Sequence, residues 1–289
     1  MNFKFSRPNC DIFIPDGAEP AKALARTTHM GVGAHQDDLE IMSYSGVLHC
    51  FGQPDQWYTG VVVTNGAGSP RSGLYAAYTD EEMQEVRRLE QQKAAFVGEY
   101  AACVQLMHSS AEVKNPKGGD VVKDLAQLMT AARPQVIYTH NLADKHDSHV
   151  ALTLRVIEAI RSLPPKERPE TLYGCEVWRG LDWLPDEAKQ VIDVSPRQNI
   201  GAALLGVFDS QIAGGKRYDL AAIGRRRANA TFLASHFVDK GEEAVYALDM
   251  TALIKDESLN PSSFIEEHIN RFKDDVLGRI AGFTGGLNG

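Results

Sequence analysis

The stretch that most constrains this chain is Gly31-Val-Gly-Ala-His35-Gln36-Asp37-Asp38-Leu39. A short apolar run, His29 to Ala34, stops abruptly at a histidine and, one residue on, two adjacent carboxylates. Beyond them Ile41, Met42, Val47 and Leu48 recur among small and polar residues in an amphipathic helical pattern. The pattern reads as a buried strand, a tight turn and a helix, with the polar cluster at the carboxyl end of the strand. In open α/β sheets that edge is where ligands bind. One imidazole and two carboxylates placed there offer donors to a small cation.

A second cluster, His140-Asn-Leu-Ala-Asp144-Lys-His146-Asp147-Ser148-His149, follows another strand-like run, Gln135–Thr139, and leads into a helical pattern from Val150 to Ile160. If the two strands are neighbours, their polar ends face each other. One His and one Asp from the first cluster with one His from the second make a three-ligand set. Three protein ligands and an open fourth position are the arrangement of a catalytic zinc; a structural zinc is usually closed by four. Each cluster alone has a plainer reading. Acidic residues in the first turn of a helix are favoured by its dipole, and His-x-x-His is common at solvated helix starts. The two clusters together, each behind a buried strand, weaken those readings. A dinucleotide-binding turn is a further alternative, because Gly31-Val-Gly33 follows a strand start. It fails on spacing: the third glycine position is Gln36, and both glycines lie inside the strand.

Ala34-His35-Gln36-Asp37-Asp38 resembles the Ala-His-Pro-Asp-Asp motif of the PIG-L/LmbE-like deacetylase family, and Asp144-Lys-His146-Asp147-Ser148-His149 is similar to that family's Asp-x-His-x-Asp-His motif. Thr64-Asn-Gly66 resembles its Thr-x-Gly turn, and Arg87-Arg-Leu-Glu90 with Ala94 its Arg-x-x-Glu-x-x-x-Ala helix. Asp193-Val-Ser195 and Phe208-Asp-Ser210-Gln211 match a weaker late signature. The resemblance spans roughly Met30 to Phe237. Three departures stand out: Gln36 replaces the usual Pro, Ser148 replaces the Asp before the last His, and the Glu often found near Ala234–Phe237 is absent. Asp147 or Asp144 is left to supply the missing supporting carboxylate.

The resemblance implies that His35, Asp38 and His149 hold Zn²⁺, that Asp37 acts as general base on a zinc-bound water, and that His146 stabilises the developing oxyanion. Neighbouring residues in a turn point in different directions, so Asp37 and Asp38 do not easily ligate one ion together. That frees Asp37 for the water, whose pKa zinc lowers to about 7. Arg71, Arg87, Asp144 and His236 are the candidate substrate-binding residues. Each of these has a competing reading: Arg71 sits in a Gly/Ser-rich loop that is either a cover for the substrate or ordinary surface. Arg87 with Glu90 also reads as a helix-surface charge pair, and His236 lies in a changed motif. Trp178 and Trp183 offer an apolar wall or simple core packing.

The 289 residues are 43% hydrophobic and 24% charged, enough for one large core. A net charge of −8 argues against a nucleic-acid partner. No apolar span is long enough to cross a membrane, and the first residues lack the apolar core of a signal peptide. The four cysteines are scattered; Cys50, Cys103 and Cys175 fall in apolar segments and read as buried thiols of a cytoplasmic protein.

Strand-like runs at His29–Ala34, Gly60–Thr64, Cys103–Met107, Gln135–Thr139 and Leu172–Trp178 alternate with helical patterns near Leu39–Cys50, Asp80–Tyr100, Asp120–Ala132 and Val150–Ser162. This predicts an α/β, Rossmann-like, mostly parallel sheet with helices on both faces. Residues 1–28 read as an N-terminal arm, 29–237 as the deacetylase-like domain, and 238–289 as a C-terminal extension with a strand at Ala244–Asp249 and a helix from Pro261. That helix is expected to pack on the core or on a neighbouring subunit of a homo-oligomer. The expected activity is zinc-dependent removal of an N-acyl, chiefly N-acetyl, group from a small amine such as an N-acetylglucosamine-type sugar. The alternatives are a zinc amidase for larger amide conjugates and a non-catalytic metal- or sugar-binding protein.

Overall fold

The computed structural model describes residues 3–284, so the outermost residues of the expected arm (1–28) and extension (238–289) lie outside the described part. Eight strands form one sheet: β1 (Asp11–Phe13), β2 (His29–Gly33), β3 (Tyr58–Thr64), β4 (Ala102–His108), β5 (Val136–His140), β6 (Thr171–Cys175), β7 (Lys189–Asp193) and β8 (Ala244–Asp249). Their order is β1-β4-β3-β2-β5-β6-β8-β7. The inner five, β4 to β6, are parallel, while β1, β8 and β7 add antiparallel at the two sides. The expected mostly parallel α/β sheet is thus the one observed.

Every residue of β2, β3 and β4 is buried, as a sheet covered on both faces requires. Gly31 is one reason β2 fits: a Cβ there would lie 1.9 Å from the Tyr58 hydroxyl of β3. The glycines of Gly31-Val-Gly33 therefore serve strand packing and form no phosphate-binding turn. From β2 the chain builds outward through β3 to β4, then crosses back to place β5 on the other side of β2. The reversal opens a crevice at the carboxyl ends of β2 and β5, the position where such sheets bind ligands.

The helices are α1 (Pro20–Ala25), α2 (Asp38–Met42), α3 (Tyr44–Cys50), α4 (Asp80–Val97), α5 (Ser110–Lys114), α6 (Gly119–Ala132), α7 (Asp147–Ser162), α8 (Gln198–Gly206), α9 (Asp209–Ile212), α10 (Tyr218–Thr231), α11 (Thr251–Lys255) and α12 (Pro261–Thr284). The single helix expected over Leu39–Cys50 is broken at Ser43. Its hydroxyl donates back to the Leu39 carbonyl at 2.7 Å and meets the Tyr58 hydroxyl at 2.5 Å, and such back-bonding bends helices. At the start of α4, Thr79 and Glu82 form a reciprocal capping box, and Asp80, Glu81 and Glu82 complement the helix dipole. The helix buries Met83, Arg87, Glu90, Gln91, Ala94 and Ala95, a single face at helical spacing.

The sheet continues past residue 237, because β8 from the expected extension is inserted between β6 and β7. Likewise β1 of the expected arm pairs with β4. Strand β6 ends at Cys175, earlier than the run to Trp178 suggested, so Trp178 belongs to a loop. At its start α12 is anchored by Phe264 and Ile265 against the core. Phe272 meets Trp183 at 6.2 Å between ring centroids. No α12 residue is buried, and Ile269, Val276, Leu277, Ile280 and Phe283 are exposed. No helix among the described residues is long and apolar enough to cross a membrane. Cys50, Cys103 and Cys175 are buried thiols.

Candidate active site

Two strand-to-helix turns build the site. After β2, Asp37 adopts a left-handed backbone with φ 83°, and the Asp38 carboxylate accepts the His35 N–H at 2.7 Å. After β5, Asp144 Oδ1 accepts the His146 N–H at 2.9 Å, an Asx-type turn that starts α7. One helical turn later, His149 is carried back toward β2.

These turns bring His35, Asp38 and His149 together. His35 Nδ1 lies 3.2 Å from Asp38 Oδ2 and 3.2 Å from His149 Nε2, and His149 Nε2 is 3.4 Å from Asp38 Oδ2. Donors about 2.1 Å from a common tetrahedral ion stand roughly 3.4 Å apart, so this set fits a divalent cation such as zinc. The ring is also supported from behind, with Asp144 Oδ2 3.5 Å from His149 Nδ1. Of the two carboxylates expected to stand in for the residue replaced by Ser148, Asp144 holds that place; Asp147 is exposed. Such supporting carboxylates orient a ligand imidazole and raise its basicity. Ser148 instead meets the Ser110 hydroxyl at 2.8 Å.

His146 can also join the cluster, since its ring nitrogen lies within 4.8 Å of those of His35 and His149. A further histidine, His140, approaches Asp38 Oδ2 at 3.4 Å. Its Nε2 accepts the Ala34 N–H at 3.0 Å, so that lone pair is committed to the backbone. Asp38, His140 and His149 thus form a second group of donors close enough to hold a cation, in which the Ala34 N–H competes for the His140 lone pair. Burial drives its pKa well below the ordinary value, with His149 adding to the effect. Burial works against ionisation of Asp38 too, but His149, His140 and His35 together hold its carboxyl well below the usual range. His146 is lowered by burial and by the neighbouring His149 and His35, which favours a neutral ring able to donate one N–H.

Asp37 is arranged differently from Asp38. Its Oδ2 accepts from Arg87 Nη2 at 2.9 Å, and it lines a cavity of about 980 Å³ together with His35, His146, Trp178 and Tyr218. Burial pushes the Asp37 carboxyl up to about 6, against the opposing pull of Arg87. Arg87 borders the same cavity, but its guanidinium is engaged inside the protein. Besides Asp37 it donates to the Gln36 carbonyl, to Glu90 Oε2 at 3.3 Å and to Ser210 Oγ at 3.5 Å. Its observed partners are thus the turn and the late-signature segment rather than open pocket space.

The remaining candidates fall as follows. Gly66 to Pro70 line the cavity, whereas Arg71 turns to Asp80 and to the Ala67 carbonyl. Asp144 supports His149 and accepts the Trp178 N–H at 3.1 Å; it is not among the cavity-lining residues. His236 is exposed beyond α10 and is not among the residues that line the cavity. Trp178 does form a wall, stacked on His146 at 6.1 Å with Lys216 Nζ 5.2 Å from its ring. Trp183 packs on α12 instead. Sequence reasoning assigned no role to His140, Tyr218, Gln91 or Glu40. For Gln91 a signal existed: it continues the buried face of α4 set by Met83 and Arg87.

Among curated proteins no sequence match is found. Among solved structures, the fold is similar to that of 4-carboxy-2-hydroxymuconate hydratase GalB from Pseudomonas putida KT2440, at 15% identity and TM-score 0.61, covering 78% of this chain and 95% of that one. It is similar to N,N'-diacetylchitobiose deacetylase from Pyrococcus horikoshii, at 14% identity and TM-score 0.60 over 80% and 86% of the two chains. A third is the A40926 pseudoaglycone deacetylase Dbv21, at 13% identity and TM-score 0.56 over 78% and 97%. At these identities the likeness is one of fold, and the fold alone serves more than one chemistry. Residues 30–160 match the family described as PIG-L: GlcNAc-PI de-N-acetylase, so the resemblance carried by the two motifs holds across the stretch that contains both.

Proposed function

We propose that this protein is a zinc-dependent hydrolase that removes an N-acyl group, in particular acetyl, from a small amine of the N-acetylglucosamine type. The observation that carries this reading is the division of labour between the adjacent carboxylates. Asp38 converges with His35 and His149, while Asp37 stays outside that triad and faces the cavity. A pure binding site has no need of a second, buried carboxylate aimed at the open side. The family match, and the deacetylase activity of two proteins of similar fold, support the same reading.

His35, Asp38 and His149 would hold the zinc. When bound, it supplies Lewis-acid polarisation of an acyl oxygen and acidifies water. The chain's own groups do the rest. Asp37 accepts a proton from the attacking water and returns it to the departing amine nitrogen, so that amide and water become carboxylic acid and amine. His146, neutral and beside the triad, donates its N–H to the developing oxyanion. Trp178 presents a flat apolar face to a sugar ring. Arg87 holds Asp37 and excludes water from behind it.

The cavity volume of about 980 Å³ also favours a second reading, an amidase for a larger amide conjugate, because one acetylated sugar leaves much of that space unfilled. The deciding assay is amine release from a panel of N-acetylated sugars and bulkier N-acyl amines. It uses metal-stripped protein with and without Zn²⁺, with Asp37→Asn as control. Zinc-dependent release from the sugars supports the first reading, and release confined to the bulkier amides supports the second. Tight zinc binding with no release from any member would leave a binding protein.

A further inference from the structure

The turn that presents Asp37 has an unfavourable backbone. Non-glycine residues with positive φ cost of order 1 kcal/mol and persist where their surroundings hold them. Residue 36 is Gln, so no proline ring stiffens the approach to this turn. Something else must fix the Gln36–Asp37 peptide, whose orientation decides where the Asp37 carboxylate points.

Helix α4 grips that one peptide at both ends. Arg87 donates to its carbonyl, the Gln36 oxygen. Gln91, one helical turn further on, accepts its N–H, that of Asp37, on Oε1 at 3.2 Å. The Gln91 amide is itself fixed: its Nε2 donates to Glu40 Oε1 at 2.8 Å, and Tyr100 donates to the same oxygen at 2.7 Å. Gln91 and Glu40 are fully buried, so the amide cannot trade these partners for solvent. Rotation of the peptide would strand the N–H and the carbonyl at once, each a costly loss in a dry interior.

We infer that Gln91 is a positioning residue for the reaction, locking the Gln36–Asp37 peptide through the Asp37 N–H so that Asp37 is aimed into the cavity while Asp38 remains with the two histidines. The catalytic half of this statement rests on the proposed hydrolase function; the structural half does not. Glu40 and Tyr100 set the amide orientation, and Arg87 and Gln91 act as a pair spaced one turn apart.

The test compares Gln91→Met, which keeps the size but removes both hydrogen-bonding groups, with the exchange Glu40→Gln plus Gln91→Glu. The exchange reverses donor and acceptor between the two side chains and leaves a carboxylate oxygen for the Asp37 N–H. For Gln91→Met, kcat on the best N-acyl substrate is expected to fall about 10–100-fold, the cost of misplacing a reacting group by a fraction of an ångström, with KM and zinc content little changed. The exchange is expected to recover most of that loss. A second readout needs no turnover: hydrogen exchange of the Asp37 amide, protected in the parent, should speed up in Gln91→Met and slow again in the exchange. Parent-like kcat and protection in Gln91→Met would overturn the proposal, as would an exchange variant that folds normally yet stays as impaired as Gln91→Met. If the parent hydrolyses nothing, the hydrolase reading fails, and amide protection alone still decides whether Gln91 locks the peptide.

Discussion

Strand β2 carries a histidine at its amino end and another just beyond its carboxyl end, and the two have opposite fates. His29 is 7% exposed and lies 4.5 Å from the His49 ring; among the described residues it meets no carboxylate, and its side chain hydrogen-bonds with Thr28 at 3.1 Å. Burial, assisted by His49, drives its pKa down to about 4. His35 stands 3.2 Å from both Asp38 and His149. Residue type and strand are the same; what differs is the edge of the sheet. At the carboxyl edge the β2–β5 reversal delivers a second turn with its own His and Asp. At the amino edge the chain supplies apolar neighbours and another histidine. The same imidazole is therefore a candidate ligand at one end and a packed, neutral ring at the other.

Removing a ligand should break this contrast most severely. His149→Ala is expected to lose stoichiometric zinc, measured by elemental analysis, and to reduce amine release to background; full zinc binding in this variant would refute the triad. Asp37→Asn should retain zinc and lose about 10²–10⁴-fold in kcat, the usual worth of a general base. Loss of the metal instead would make Asp37 a ligand. Asp144→Ala tests the support behind His149 and should weaken zinc affinity about 10–100-fold by competition titration.

The smallest effect belongs to the other end of the strand. Because the folded pKa of His29 lies below its ordinary 6.5, the unfolded chain takes up the proton first. Its contribution to stability is complete above about pH 6.5 and is lost as pH falls toward 4, by roughly 1.4 kcal/mol for each unit within that window. His29→Leu should flatten the fall of Tm between pH 6.5 and 4 and leave zinc binding unchanged. An unaltered pH profile would show that His29 is not the titrating group.

Much of this was legible in the residues. Apolar runs that end in His and Asp marked the central strands and the edge that binds, since both signals are local. His140 was written in the same cluster as His149, yet its Nε2 is engaged by the Ala34 N–H across the β2–β5 pair, a contact no spacing reveals. Arg87 reads as a surface or pocket charge because arginine is seldom fully buried; only the packing of α4 against the β2 turn shows the guanidinium enclosed by Asp37, Glu90 and Gln36. Strand β7, Lys-Gln-Val-Ile-Asp, is half-exposed at the sheet edge and carries little apolar signal, and the short helices α8 and α9 are likewise weakly patterned. The amphipathic pattern of α12 was plain, but the sequence does not state what covers it. In the structure its outer stripe is exposed beyond the Phe272–Trp183 contact.

The imidazoles of His35 and His149 touch across a separation of 114 residues in sequence. Between them in sequence lie β3 and β4, and the triad closes only when β5 pairs with β2. A chain that has paired only β2 with β3 owns two of the three ligands and, in effect, none of the site. Metal capture and completion of the fold should therefore be a single event. Added zinc would shift the unfolding equilibrium according to its affinity and free concentration, and the rate at which unfolded chains regain metal would be a clock for the pairing of β5 with β2.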